Sequence, residues 1–459
     1  MTAVAEPPAS PAETTQELPV QLDYAPRVPR LPVLRARLLA AAGSAGRRLL
    51  DWWRLVLTLA AVVRLGLIWS TFTSNVGIAD QRTSVDSDTG RMRVQVYNVP
   101  RIVSVSINRH GWSQVVKLRP GHDLDRWSAA CTPLRHAARV QTVKALELPD
   151  RPGFVELRVL RRDPLAVVTE RPRPEGPARF IVGSIENGDP WVIDFSLRPH
   201  LLVCGATGSG KSSVIAALLS AMARTDALMI GWDLKWGVEA ELFAPRYGDV
   251  ATTQHEVRAS TAQVLDLAAR RAECFRQLGV RSIEEAEQVG GVRLRRVFLI
   301  VDEVAEVALD HGEKDEDGKK LVDLIQPELL SIVQRVRAFG IHVVLCGQRF
   351  GSDLGKSITA IRAQVPGRVC LAVNDIQTAE MTLPGYDRSV HERVLTIARP
   401  GMGVIADGLD WHYGRAAYLT DPEVRAHAAA TANRRVTWDD VIADDAAAFD
   451  GRLTRKDHR

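Results

Sequence analysis

The segment GATGSGKS, from Gly205 to Ser212, constrains the fold of this chain more than any other feature. It matches the phosphate-loop pattern G-x-x-x-x-G-K-[ST] in full, and the apolar run HLLVC precedes it directly. A strand that enters such a loop and a helix that leaves it form the context in which the pattern binds nucleotide phosphates. The segment therefore predicts a P-loop NTPase with ATP as its nucleotide.

Each residue type in this loop has a task in phosphate binding. Glycines allow successive backbone N–H groups to turn inward around the phosphates. Lys211 is expected to reach the β- and γ-phosphates, and Ser212 to offer its hydroxyl to Mg²⁺. The predicted nucleotide-binding residues are Gly205, Ala206, Thr207, Gly208, Ser209, Gly210, Lys211, Ser212 and Ser213. ATP and Mg²⁺ are thus the expected cofactors.

A second apolar run, VFLIVDE, ends in the acidic pair Asp302 and Glu303. An acidic pair after a strand can simply cap a helix. Coupled to a phosphate loop, however, the pair predicts a metal site and a catalytic base. Asp302 is expected to hold a magnesium-bound water, and Glu303 to polarise the water that attacks the γ-phosphate.

Short apolar runs without alternation recur from Phe180 to about Leu419, namely HLLVCG, ALMIGW, VFLIVDE, IHVVLCG and RVCLAV. Such runs are typical of strands that are buried on both faces of a parallel sheet. The fold class is therefore predicted as α/β, a RecA-like P-loop NTPase with a mostly parallel sheet. Gln348 follows IHVVLCG at the carboxyl edge of this sheet, where ligands of open α/β sheets bind, and is predicted to sense the γ-phosphate.

The remaining composition divides the chain into further regions, because 459 residues are too many for one ordinary domain. Residues 90–165 alternate in VSVSINRH, WSQVVKLRP and FVELRVL around a helical pattern, which predicts a small α/β domain. The predicted boundaries are 1–32 for a disordered Pro-rich arm, 33–80 for a basic, apolar helical region near the membrane, 90–165 for the small domain, 166–179 for a linker, 180–420 for the motor and 421–459 for a tail.

The run from Leu49 to Phe72 is the membrane candidate, and Arg54 and Arg64 interrupt it. An arginine near the middle of a span costs a few kcal/mol, so a helix lying on the membrane is expected instead of a span. Packing of this helix onto the protein itself is the alternative. If the helix lies on the membrane, Arg35, Arg37, Arg47 and Arg48 would face anionic lipid. The predicted location is the cytoplasmic face of the cell membrane.

Cysteine spacing and net charge add little to the functional prediction. The five cysteines are scattered without CxxC or Cys/His spacing, which argues against a zinc site or a disulfide framework. The formal net charge of +4 is too small to establish a nucleic-acid partner by itself.

Four motifs together resemble the motor domain of the FtsK/SpoIIIE family of DNA translocases. They are PHLLVCGATGSGKSS, the strand-end segment DLK at 233–235, VFLIVDEVAEV and RVRAFGIHVVLCGQR. The small domain is similar, more weakly, to the domain that precedes the motor in that family. A single motor behind a short N-terminal anchor is most similar to the conjugal-transfer branch. The resemblance implies a homohexameric ring around double-stranded DNA, with a role in conjugal transfer or chromosome segregation.

The resemblance also implies roles for individual residues. Arg337 matches the arginine finger that completes a neighbouring subunit's site, and Gln348 matches the sensor. The DNA-binding residues that it implies are Arg349, Lys356 and Arg362, all in the expected pore loop. Two departures remain: Thr378-Ala379-Glu380 replaces the family's D-S-R stretch, and the residues after the motor are too few for a winged-helix module. The alternatives are protein export of the type VII secretion kind and a non-motor nucleotide-binding regulator.

Overall fold

The computed structural model describes residues 43–85, 92–108, 110–148, 150–290, 293–408 and 410–456. The helices are α1 Gly43–Asn75, α2 Leu124–Ala138, α3 Lys211–Met222, α4 Gln254–Leu278, α5 Ile283–Gly290, α6 Val304–Ala308, α7 Leu321–Arg335, α8 Lys356–Gln364, α9 Ile376–Thr382, α10 Arg388–Leu395, α11 Asp421–Ala430 and α12 Trp438–Lys456. The predicted Pro-rich arm at 1–32 lies outside the described residues, as do Arg35 and Arg37 of the region that follows it.

Three sheets account for the strands of the described residues. The strands are β1 Asp80–Val85, β2 Met92–Tyr97, β3 Ile102–Ile107, β4 Gly111–Lys117, β5 Thr142–Glu147, β6 Phe154–Leu160, β7 Arg173–Pro174, β8 Arg179–Ile185, β9 Pro190–Asp194, β10 His200–Cys204, β11 Leu228–Trp232, β12 Asp249–Ala251, β13 Val297–Val301, β14 Ile341–Gly347, β15 Gly367–Leu371, β16 Met402–Asp407 and β17 Asp410–Ala416. The strands β1 and β2 pair with each other alone.

The largest sheet contains eleven strands, in the order β12-β11-β13-β14-β10-β15-β16-β17-β8-β7, with β9 paired to β8. The first six of these are parallel, and the pairs from β15–β16 onward are antiparallel. Every residue of β10, β11, β13 and β14 is buried, because helices cover both faces of the parallel part. The predicted α/β fold of a P-loop NTPase with a mostly parallel sheet is confirmed.

Strand order decides which loops meet at the carboxyl edge of this sheet. The strand β14 lies between β10, which leads into the phosphate loop, and β13, which ends at the acidic pair. The register pairs Cys204 with Gly347, so that β10 and β14 end side by side. Gln348, the residue after β14, is thereby placed between the phosphate loop and the acidic pair.

The helix α3 begins at Lys211 and buries its apolar side chains against the sheet. Val214, Ala217, Leu218 and Met222 have no exposed surface, and they pack with Met229 and other residues of the strands. Full burial of an aliphatic side chain is worth ~1.5–3 kcal/mol, so this helix is held firmly by its inner face. The first turn, which carries Lys211 and Ser212, is left at the sheet edge.

The small domain has a four-stranded antiparallel sheet in the order β3-β4-β6-β5, with α2 packed on it. The strand β5 lies outside the three alternating segments that the sequence analysis identifies. Three residues of α1 at helical spacing, Leu65, Trp69 and Phe72, complete its core, and the Trp69 indole N–H donates to the Pro100 carbonyl over 2.8 Å. The last part of α1 is therefore a structural helix of this domain.

Among the described residues, α1 contains one segment, Leu55–Asn75, that is long and apolar enough to cross a membrane by length and composition. Within it, Leu59, Val63 and Leu67 form an exposed apolar stripe, and Arg64 is also exposed. The side chains of Arg47, Arg48 and Arg54 lie outside the described part. The helix thus has one stripe buried in the small domain and another exposed.

The segment predicted as a linker is tied to the motor sheet. Its residues Arg173–Pro174 form β7, which pairs with β8. Arg415 of β17 donates to the carbonyls of Leu165 and Ala166 over 2.8 and 2.9 Å, and Arg399 forms an ion pair with Asp163. These contacts fix the path between the small domain and the motor.

The segment predicted as a tail folds into two helices that pack on the motor. Val424 and Ala428 of α11 belong to the core on the α3 side of the sheet. Ala448 and Phe449 of α12 belong to a separate apolar cluster with Phe275. The segment 421–456 is therefore part of the folded motor.

Candidate active site

The phosphate loop is shaped by glycines that no other residue could replace without strain. Gly208 and Gly210 have φ angles of 78° and 91°, in the left-handed region that favours glycine. A Cβ atom on Gly210 would lie 2.0 Å from the backbone nitrogen of Gly401. The Gly401 N–H donates to the Ser209 carbonyl over 2.8 Å, so the segment around Gly401 supports the loop from behind.

Lys211 and Glu303, two residues predicted to be catalytic, contact each other directly. The Lys211 Nζ atom lies 3.1 Å from Oε2 of Glu303, whose side chain is 5% exposed. The backbone N–H of Gln348 donates to the other carboxylate oxygen, Oε1, over 3.2 Å. The Gln348 side chain is exposed and lies 3.4 Å from the Thr207 hydroxyl of the phosphate loop. The structure therefore brings the loop, the base candidate and the sensor candidate together.

Asp302 lies beside this group in a partly buried position. Burial raises the pKa of Asp302 to about 6, and the Lys235 ammonium, 3.8 Å from Oδ2, opposes the rise. Lys235 also lies 3.6 Å from Oε2 of Glu303, so one cation serves both carboxylates. The sequence motif DLK at 233–235 contains Lys235 but does not by itself indicate a role for it. Its contact with both acids makes it a further residue of the site.

Asp233 holds the loop that presents Lys235. Its buried carboxylate accepts hydrogen bonds from the backbone N–H groups of Lys235, Glu239 and Ala240 over 3.1, 2.9 and 3.0 Å. Trp236, at the tip of this loop, is 91% exposed and has a φ of 62°. An exposed indole on strained backbone indicates a functional constraint at this place. Sequence reasoning did not single it out.

The residues at this edge fit a nucleotide with Mg²⁺. The buried Ser209 hydroxyl has no hydrogen-bond partner within the described ranges, and the loop geometry leaves room only for glycine. The exposed Ser212 hydroxyl and the Asp302 carboxylate are oxygen ligands of the kind that Mg²⁺ prefers. Beside them a cavity of about 420 Å³ opens, lined by Ser212, Asp302 and Tyr418 among others. In the described part of the chain, no group of three or more His, Cys, Asp or Glu residues forms another metal site.

Arg337 lies at the opposite edge of the same sheet. It is exposed, in a short 3-10 turn from Val336 to Phe339 that connects α7 to the start of β14. Burial lowers the pKa of His200, at the start of β10, to about 4, and the nearby Arg337 guanidinium contributes to this lowering. The length of β14, seven residues, puts roughly 20 Å between Arg337 and Gln348 of one chain. Arg337 therefore cannot serve the site of its own chain.

The residues predicted to contact DNA differ in their exposure. Arg349 is exposed, and its guanidinium lies 3.4 Å from the side-chain oxygen of Gln377. Arg362 is half-buried and donates to the Phe350 carbonyl over 2.8 Å, so it also holds the loop. Lys356 begins α8, but its side chain lies outside the described part.

Comparison with known proteins identifies two matching families. Residues 166–352 match the FtsK/SpoIIIE family, and residues 47–161 match the actinomycete conjugal transfer protein N-terminal domain. The transfer protein TraSA of Streptomyces ambofaciens is 35% identical over 334 residues, which cover 70% of this chain and 79% of that protein. A sporulation regulatory protein of Streptomyces azureus is 38% identical over 211 residues, 46% of this chain and 68% of the relative.

Similarity extends to a DNA translocase and to a solved structure at lower sequence identity. The DNA translocase FtsK of Streptococcus agalactiae is 28% identical over 221 residues, but this chain spans only 25% of its length. Among solved structures, the pCW3 conjugation coupling protein TcpA, in its monomer form with ATPγS, aligns with a TM-score of 0.50 and 20% identity. That alignment covers 77% of this chain and 95% of TcpA, and it supports the fold alone. The resemblance inferred from the sequence motifs is thus confirmed.

Proposed function

We propose that this chain, which belongs to the FtsK/SpoIIIE family of ATPases, pumps double-stranded DNA through a hexameric ring of identical subunits during conjugal transfer. The observation that supports the proposal is that the predicted catalytic residues lie at two opposite edges of the sheet. Lys211, Glu303 and Gln348 meet at the carboxyl edge, whereas Arg337 is exposed at the amino edge. A ring would bring the amino edge of one subunit to the carboxyl edge of the next.

Hydrolysis at such a site needs a base, a charge clamp and a metal. Glu303 is proposed as the base, because its carboxylate is fixed by the Gln348 N–H and faces Lys211. Ser212 and Asp302 would hold Mg²⁺, which supplies positive charge opposite the phosphate oxygens when bound. Lys211 would exchange its contact with Glu303 for the phosphates, which frees one carboxylate oxygen to accept the proton of the attacking water. Gln348 links this event to the phosphate loop through Thr207.

Arg337 is proposed to complete the site of the neighbouring subunit. A guanidinium brings a permanent positive charge and planar N–H donors to the γ-phosphate oxygens, which gain charge in the transition state. The exposed position of Arg337 leaves these donors available to a second subunit. Catalysis would therefore depend on assembly, which ties each hydrolysis step to the subunit next to it.

The proposed DNA contact is the loop that follows Gln348. Arg349 comes directly after the sensor candidate and is exposed, so a phosphate of the duplex could bind it without rearrangement. Arg362, through its bond to the Phe350 carbonyl, would hold this loop as well as contribute charge. Because the sensor and the DNA contact are adjacent in sequence, a movement of one is transmitted to the other.

The helix α1 is proposed to attach the ring to the cytoplasmic face of the membrane. Its exposed apolar stripe, Leu59, Val63 and Leu67, lies on a helix whose other stripe is buried in the small domain. A helix that shares its surface between protein and lipid lies in the interface, where Arg64 can reach the headgroups.

The test is ATP hydrolysis by the purified full-length chain with duplex DNA, single-stranded DNA or no DNA. Duplex DNA should stimulate hydrolysis strongly, and rising salt should weaken the stimulation because phosphate contacts release counterions. Lys211→Ala is the inactive control for hydrolysis. Membrane attachment is tested separately, because washing membranes with carbonate should release the chain if α1 is peripheral. Equal rates with duplex DNA, with single-stranded DNA and without DNA would reject DNA pumping. Stimulation by a peptide substrate instead would point to a protein cargo.

A further inference from the structure

A buried ion pair joins the C-terminal helix α12 to the motor. The Arg271 side chain of α4 has no exposed surface, and the Asp445 side chain of α12 is 10% exposed. The Arg271 Nε and Nη2 atoms donate to the two carboxylate oxygens over 2.6 and 2.9 Å. Such a two-point contact fixes both side chains, and it persists in a buried place because each charge compensates the other.

The same guanidinium also holds the turn that carries Arg337. Its Nη1 atom donates to the Phe339 carbonyl over 2.7 Å, and Nη2 donates to the Arg295 carbonyl over 2.9 Å. Phe339 is the last residue of the 3-10 turn in which Arg337 lies. A single buried group therefore connects the C-terminal helix with the backbone that presents Arg337.

Apolar contacts reinforce this connection. The ring of Phe275 lies between Phe339 of the turn, at 5.6 Å, and Phe449 of α12, at 6.3 Å. Ile283 belongs to the same apolar cluster, and a Cβ atom on Gly340, directly after the turn, would lie 2.4 Å from it, so the chain has little space to shift. The turn is thus held from inside the protein, while the Arg337 side chain stays exposed.

We propose that Arg271 and Asp445 are positioning residues that hold Arg337 for catalysis in the neighbouring subunit. This inference rests on the proposed role of Arg337. The place of an exposed, flexible side chain is set by its backbone, and a displacement of about 1 Å in a catalytic group can cost ~10²-fold in rate. Loss of the Asp445 carboxylate leaves the buried guanidinium without a counter-charge, so the guanidinium leaves its place and the Phe339 carbonyl loses its donor.

The first experiment compares Asp445→Asn with Asp444→Asn. Asp444 is the matched control, because it precedes Asp445 on α12 and pairs with the half-buried Arg295 without contact to the turn. Asp445→Asn should bind ATP with wild-type affinity, yet its DNA-stimulated hydrolysis should fall by about tenfold or more. Asp444→Asn should stay within about twofold of wild type in both measurements, as expected for a partly exposed ion pair.

The second experiment mixes subunits to separate positioning from folding. Lys211→Ala subunits cannot hydrolyse ATP but still offer Arg337, so they should restore activity to Arg337→Ala subunits and equally to Asp445→Asn subunits. Donors with both Lys211→Ala and Asp445→Asn should restore neither. If Asp445→Asn instead damaged the subunit's own hydrolytic site, Lys211→Ala subunits would not restore its activity. Rescue therefore shows that the defect lies in the Arg337 that the subunit supplies to its neighbour. Co-assembly is checked by capture of differently tagged subunits.

Arg271→Lys provides an independent arm if Asp445→Asn folds poorly. Lysine keeps the charge opposite Asp445, but one ammonium lacks the planar fork that bonds Asp445 and the Phe339 carbonyl together. Donors with Lys211→Ala and Arg271→Lys should therefore also fail. The inference is overturned if either donor restores Arg337→Ala subunits as well as Lys211→Ala does, or if both substitutions abolish ATP binding. Full activity of Arg337→Ala alone would instead refute the proposed role of Arg337.

Discussion

The two edges of the motor sheet differ in how complete they are within one chain. At the carboxyl edge, Lys211 and Glu303 already touch, and Gln348 donates to the same carboxylate. At the amino edge, the Arg337 side chain is exposed. The backbone turn that carries it is held from the inside of the protein by Arg271. The carboxyl edge therefore already brings three predicted catalytic residues into contact, whereas the amino edge fixes only the backbone that carries Arg337. The comparison shows that a side chain can be exposed while its backbone is held rigidly, provided that the contacts to the backbone are buried.

Electrostatics distinguishes the edges as well. Burial raises the pKa of Asp302 to about 6 at the carboxyl edge, and it lowers the pKa of His342 to about 3 at the amino edge. Asp302 retains a side-chain exposure of 25%, so a ligand can reach it, whereas His342 is sealed in the core. The same physical cause thus acts on an accessible group at one edge and on a structural group at the other.

The largest expected effect comes from the amino edge. Arg337→Ala should keep ATP binding and assembly but lose ~10³-fold or more in DNA-stimulated hydrolysis, because such arginines stabilise transition-state charge. Arg335→Ala, an exposed arginine at the end of α7, is the matched control and should change the rate by less than about twofold. Steady-state hydrolysis with saturating duplex DNA measures both. Equal rates for the two variants would remove the proposed division of the site between edges.

A smaller effect is expected at the carboxyl edge. Glu303→Gln preserves the shape of a buried side chain and an oxygen that can accept from the Gln348 N–H. It removes the proposed base, so hydrolysis should fall ~10²-fold or more. ATP binding should remain, because the phosphate loop is unchanged. Glu306→Gln is the control, because Glu306 lies on the helix that follows and its carboxylate lies 3.8 Å from His311. Nucleotide binding by fluorescence and single-turnover hydrolysis separate the two steps, and wild-type turnover would show that Glu303 is not the base.

The carboxyl edge was largely predictable from the sequence, because its residues follow directly on strands of recognisable pattern. The phosphate loop, the acidic pair and Gln348 each come immediately after a fully buried strand. Parallel strands have their carboxyl ends at the same edge of the sheet, so the residues that follow these strands are expected to lie at that edge together. Lys235 also follows a strand, yet its contact with both acids depends on the loop that Asp233 folds, which no local pattern specifies.

The supports of both edges could not be predicted, because they join residues far apart in the chain. Arg271 meets Asp445 across 174 positions, and Gly401 meets the phosphate loop through a backbone bond. No periodicity relates such pairs, and charged residues in helices are ordinarily solvated. The strand β5 is a different case, since Val143 and Ala145 alternate with Lys144 and could have indicated it.

The smallest expected effect concerns His342 and the acid stability of the amino edge. Its imidazole stacks on Phe298 at 5.1 Å between ring centres, and Nδ1 lies 3.0 Å from the Pro199 carbonyl. Burial lowers its pKa to about 3, helped by His200 and Arg296, whereas an imidazole in the unfolded chain titrates near 6.5. As the pH falls below 6.5 the unfolded state therefore binds the proton first, and the stability present above that pH is lost at about 1.4 kcal/mol per pH unit toward pH 3. His342→Phe keeps the stacking and removes the titration, so the free energy of unfolding should depend less steeply on pH between 6 and 5. The exposed His255, replaced by Gln, is the control, and urea unfolding at each pH gives the slopes. Equal slopes for His342→Phe and wild type would mean that this histidine does not stay neutral in the folded core.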